Sequence, residues 1–127
     1  MLLPAGFHAA WTLASYVLVA TVVWLSLTPV ETRAEVGGLD KWGHALAYGV
    51  LATWFMGFYP RGRRWRVAVW LFLLGASLEV AQAGMRIGRT GELADLIANT
   101  VGIGIGAIVS LLTAGWPRRV ESWLGHA

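Results

Sequence analysis

Four stretches of this chain are apolar for long enough to cross a bilayer, and short polar segments separate them. A helix needs about 20 apolar residues to span the hydrocarbon core. The first stretch, about 9–27, holds no ionisable residue and is closed by Thr28-Pro29. The second covers about 42–59 and ends at Pro60, the third about 67–85, and the fourth about 93–115, ending at Pro117. The pattern predicts an all-α membrane protein: one domain over 1–127, folded as a bundle of four transmembrane helices. The first stretch does not read as a signal peptide, because no Lys or Arg precedes it, its apolar run is long and no A-x-A site follows.

Composition agrees. Of 127 residues, 57% are hydrophobic before the 16 glycines are counted, and only 13% are charged. Soluble domains carry about 25% charged residues, so a soluble enzyme and a disordered chain are both excluded. The absence of cysteine removes disulfides, thiolate metal sites, iron–sulfur clusters and a cysteine nucleophile.

Charge placement sets an orientation. Arg61, Arg63, Arg64 and Arg66 fill the loop between spans two and three, and Arg118 and Arg119 lie in the tail. With four spans, all six share one side with both termini. The other side has Arg33, Lys41, Arg86 and Arg89, offset by Glu31, Glu35, Asp40 and Glu92. The positive-inside rule therefore predicts both termini in the cytoplasm, the chain passing repeatedly through the membrane. Trp65 and Trp116 at one boundary and Trp42 at the other fit interfacial aromatic belts. Ten basic residues in so apolar a chain are read as topology signals, and no nucleic-acid partner is expected. The tail from Trp116 to Ala127 is expected to rest on the inner membrane surface.

Ionisable groups inside a span cost about 3 kcal/mol near its centre on insertion scales, so they mark function by default. Asp40, His44 and Tyr48 fall within about 80° on one face of the second span, and Lys41 widens that stripe slightly. Glu79 and Gln82 lie near the end of the third span. Asp95 and Asn99 form an i, i+4 pair early in the fourth. Alternating direction places all of them in the outer half of the bilayer, which predicts a shared polar cavity there. Gly102 and Gly106 form a GxxxG on the stripe that carries Asp95 and Asn99, within about 60°. Close packing inside one chain is expected of that stripe, with a homo-oligomer seam as the alternative. Arg86 and Arg89, in the glycine-rich segment before the fourth span, would receive a phosphate or carboxylate, or else pair with Glu79, Glu92 or Asp95. That segment lacks the Gly-Lys-Ser/Thr ending of a nucleotide-binding loop.

These residues resemble the VanZ-like family of small bacterial membrane proteins. The resemblance rests on Asp40-Lys41-x-x-His44-x-x-x-Tyr48, Glu79-x-x-Gln82, Arg89 and Asp95-x-x-x-Asn99-x-x-Gly102-x-x-x-Gly106. It covers about residues 39–108. The family takes its name from a protein associated with teicoplanin resistance. The resemblance therefore implies an envelope-facing membrane protein with a link to glycopeptide susceptibility, and it supplies no reaction.

Three chemistries fit the polar residues. In an enzyme acting on an envelope lipid or precursor, His44 would be the general acid or base, oriented by Asp40 or Asp95, with Glu79 and Asp95 completing the catalytic group. In a binding protein, Asp40, Lys41, Tyr48, Gln82, Arg86, Arg89 and Asn99 would hold a lipid headgroup, a precursor or a glycopeptide. A small transporter is the third, weakened by the lack of a carboxylate in the first span. Against all three stands a purely structural role, which suits Tyr48, Gln82 and Asn99 taken singly. His44, Glu79 and Asp95 would suit a divalent metal as hard ligands. No H-E-x-x-H or comparable spacing supports one, so neither a metal nor another cofactor is expected. Ser77 lies about 160° around the helix from Glu79 and is not expected to act with it. His8 and His126 are expected to be solvated.

Overall fold

The computed structural model describes residues 8–27, 39–85 and 93–126; the side chains of residues 39–41 and 85 lie outside that description, as do Arg86, Arg89 and Glu92 entirely. Among the described residues there are five α-helices and no strand: α1 (His8–Leu27), α2 (Leu39–Gly57), α3 (Arg64–Met85), α4 (Leu93–Leu112) and α5 (Trp116–Gly125). A 3-10 turn, Arg61–Arg63, leads into α3. Pro60 stops the preceding helix because it has no N–H to donate, and its extended backbone (φ −62°, ψ 152°) opens that turn.

Among the described residues, three helical segments are long and apolar enough to cross a membrane: His8–Leu27, Arg61–Gly84 and Leu93–Leu112. The second expected span differs. Helix α2 is nearly as long, at 19 residues, but Asp40, Lys41 and His44 in its first turns lower its hydropathy. It carries Tyr48, Leu51, Ala52 and Met56, all buried in the core with Val22, Val67, Leu71 and Ile103. Its opposite face stays open, with Trp42, Leu46 and Val50 exposed. The outward surface is apolar elsewhere: Trp24, Val69, Trp70, Ile97, Ile105 and Ile108 are all exposed. So continuous an apolar exterior marks a surface made for something other than water. Hydroxyls within these helices are satisfied locally, since Thr12, Ser15, Thr21, Thr53, Ser77 and Thr100 each donate to the carbonyl four residues back.

The fourth expected span, to residue 115, is shorter in the fold. Helix α4 ends at Leu112, and Gly115 adopts a left-handed backbone (φ 77°) between it and α5. Only glycine takes that conformation freely. Helix α5 then starts afresh with Pro117 in its first turn, and it is strongly amphipathic, with Arg118 and Arg119 exposed. Trp42 and Trp65 are exposed as belt residues should be, at 73% and 62%. Trp116 departs from that expectation: it packs inward with Trp11, Trp54 and Phe58, every pair of rings lying 5.2–5.9 Å apart. A Cβ on Gly57 would collide with the Trp116 indole, so the bare glycine makes room for this cluster.

The tightest contact in the bundle joins α2 to α4. Gly102 lies directly on the Ala45 backbone, where a Cβ would strike the Ala45 carbonyl. A Cβ on Gly106 would lie 2.5 Å from that of Ala52 and 2.6 Å from the Gly49 carbonyl. The small-residue stripe is thus taken up within the chain. Helix α3 packs across this pair, and α1 packs on α3 and α2.

One arginine of the basic loop turns inward. Arg64 donates to the carbonyl of Tyr59 (3.1 Å) and to the carbonyl and hydroxyl of Ser110 (3.2 and 3.3 Å). The Ser110 carbonyl is among the last four of α4, which have no partner within the helix, and a cation there also faces the negative end of the helix dipole. Arg64→Leu is expected to cost about 2 kcal/mol, the upper range for hydrogen bonds from a charged donor. Arg63→Leu, at an exposed position, should leave the melting temperature in detergent unchanged. Equal melting temperatures for the two variants would refute the tie.

Candidate functional site

Three helices bring one ionisable side chain each to the end of the bundle opposite the basic loop. His44 lies near the start of α2, Glu79 near the end of α3 and Asp95 in the first turns of α4. Their chain directions alternate, so positions 35 and 16 residues apart in sequence arrive at one depth. One nitrogen or carboxylate oxygen from each of the three lies within 4.8 Å of the others. Asp95 is buried and the other two are half-buried.

The imidazole of His44 lies across one turn of α4. Its Nδ1 is 3.0 Å from the side-chain oxygen of Asn99, and its Nε2 is 3.7 Å from Oδ2 of Asp95. An amide oxygen only accepts hydrogen bonds, so Nδ1 carries the proton and donates. Nε2, on the other side of the ring, faces the Asp95 carboxylate. A second proton on Nε2 would convert that contact into an ion pair. An imidazole fixed by an amide oxygen and set beside a carboxylate has the geometry that general acid–base work requires.

Asn99 is held in turn by α3. Gly75 faces it so closely that a Cβ there would lie 2.8 Å from the Asn99 amide nitrogen and 3.3 Å from the Tyr48 hydroxyl. Both side chains are nearly inaccessible, at 1% and 2%. Gly75 thus admits two polar groups to the centre of the bundle. Its place four residues before Glu79 on α3 was the only sequence signal for it.

The candidate residues separate accordingly. His44, Glu79, Asp95 and Asn99 are brought together, with Tyr48 one turn further along α2. Gln82 points elsewhere, donating to the Ser26 carbonyl of α1 at 2.6 Å. Asp40 and Lys41 lie on the first turn of α2, with side chains outside the described residues, where Arg86 and Arg89 lie as well. Of the two residues expected to orient His44, Asp95 is beside its ring, joined by Asn99, while the Asp40 side chain lies outside the described residues. The i, i+4 spacing on α4 was the trace of this, since one imidazole reaches both residues. Ser77 is exposed and bonded to its own helix. His8 and His126 are exposed. A shallow groove lined by Arg118, Arg119, Ser122, Trp123 and His126 lies on α5, at the other end of the bundle from the cluster.

Long apolar helices with an ionisable cluster toward one end of the bundle mark this as a helical protein of membrane type. The chain belongs to the VanZ/LLP1 family, whose model matches residues 2–114. No curated protein and no solved structure matches it.

Proposed function

We propose that this protein crosses the bacterial inner membrane four times, with both termini in the cytoplasm. In this reading His44, Glu79 and Asp95 form a polar site in the outer half of the bilayer. The site binds, or acts by proton transfer on, the polar head of an envelope lipid, a lipid-linked precursor or a glycopeptide. One observation carries the reading: three ionisable groups from three helices meet at one depth among apolar helices. Membrane-embedded charges that only tie helices together need one partner each, whereas three converging groups and an oriented imidazole form a site. Family membership supports an envelope role, and the basic loop supports the orientation.

Two measurements test it. The chain has no cysteine of its own, so single cysteines report topology cleanly. Glu92→Cys should react with a membrane-impermeant maleimide on intact cells, and Gly62→Cys only after permeabilisation. The reverse pattern would move the site to the cytoplasmic face and defeat the envelope reading. Second, protein in lipid nanodiscs should bind a lipid-linked peptidoglycan precursor saturably. Mass spectrometry of the recovered lipid separates turnover from simple binding. Neither binding nor conversion of envelope lipids or glycopeptide would refute the proposal.

A further inference from the structure

We propose that His44, Glu79 and Asp95 are the three protein ligands of a first-row divalent cation, with Asn99 as the residue that positions the imidazole. The inference rests on the reading of this cluster as a working site, and it adds the cofactor class.

The donor set comes first. One imidazole nitrogen and two carboxylates carry two negative charges and leave coordination positions open, as three-ligand catalytic metal sites do. Imidazole with carboxylates suits zinc, iron or manganese, while soft ions would call for sulfur ligands. The chain contains no cysteine.

Geometry comes next. Donor atoms around a tetrahedral metal with bonds of about 2.0–2.1 Å lie roughly 3.3 Å apart. The Nε2 to Oδ2 separation of 3.7 Å is a few tenths of an ångström wider. All three donor atoms lie within 4.8 Å of one another. Glu79, half-buried on a flexible side chain, can supply the remaining closure. The imidazole is already set for the task. Ligating histidines donate their other ring N–H to an oxygen, which fixes the tautomer and the ring plane. Asn99 does this for Nδ1 at 3.0 Å. The open positions would receive an anionic oxygen of the headgroup.

One ligand from each helix also accounts for the absence of a local spacing motif. The three residues become neighbours only when α2, α3 and α4 are packed.

The test uses untagged full-length protein in detergent, stripped with chelator, then titrated with Zn²⁺, Mn²⁺ and Mg²⁺ by calorimetry and metal analysis. One equivalent should bind, zinc more tightly than manganese and manganese more tightly than magnesium. His44→Ala and Glu79→Gln should each abolish stoichiometric binding. Asn99→Ala should weaken it about 10–100-fold, the usual effect of losing the residue behind a ligand. Co²⁺ should give ligand-field absorption bands in wild type that shift in Asn99→Ala, a signature that misfolding would not produce. Melting curves confirm that each variant is folded, and Glu79→Gln, nearly isosteric, keeps the test readable if His44→Ala is not. Wild type without stoichiometric metal overturns the inference, as does a folded Glu79→Gln variant that binds as wild type does. If metal fails to bind but the variants still lose the precursor, only the metal is lost. If metal binds and no envelope ligand does, the metal stands and the envelope reading falls.

Discussion

Gly102→Ala is expected to destabilise this protein by about 3 kcal/mol or more, at the severe end of overpacking. The new methyl group would meet the backbone of Ala45, carbonyl first. A flexible side chain can rotate away from a clash, but a carbonyl within a helix cannot move without its helix. The α2–α4 contact must open, and the Ala52–Gly106 contact nearby opens with it. Gly104→Ala is the control on the same helix: nothing lies within 4 Å of its would-be Cβ. There alanine should be neutral or stabilise by up to about 1 kcal/mol through helix propensity. Thermal melts in one detergent should separate the two variants by on the order of 10 °C. Coincident melts would mean that the α2–α4 backbone contact is not made.

His44→Ala and Glu79→Gln are expected to leave the fold standing and to remove function. The stability cost should be about 1 kcal/mol, since each change removes a polar contact at the end of the bundle and leaves the apolar core intact. The functional cost should reach 100-fold or more in turnover, the lower range for a general acid or base, or an equivalent loss of affinity. The two quantities are read from the same samples: melting temperature for the fold, precursor binding or conversion for the site. If both variants instead lose folded protein while binding per folded molecule is unchanged, the polar cluster serves only to hold helices together. Asn99→Ala should fall between, since it leaves the His44 and Asp95 groups in place but frees the ring to turn.

The amino-acid pattern located the helices closely because apolar length is a local property. Helix α1 begins at His8 where position 9 was expected, and both α1 and the expected first span end at residue 27. Proline and glycine marked most of the breaks. The same locality explains the misses. Trp116 reads as a belt residue because its sequence position is interfacial, yet three other rings draw it inward. Arg64 reads as one of four loop arginines, and only the end of α4 distinguishes it.

The candidate site was legible as a depth and not as a geometry. Alternating helices put His44, Glu79 and Asp95 at one level, an inference that needs only chain direction. Whether they touch depends on how each helix is rotated about its axis, which packing partners set. Gly102 on Ala45 and Gly75 against Asn99 are those partners here. Neither glycine carries any chemistry of its own.

The sequence by itself therefore determined a helical protein of membrane type, the approximate extents of its long helices and the shared level of its polar groups, because hydropathy and spacing act along one chain. The tertiary structure decided that α2 packs backbone to backbone on α4, that the glycine stripe is used within the chain and that Asn99 holds His44. Those outcomes depend on contacts between residues dozens of positions apart, where a backbone can approach only if no side chain stands in the way.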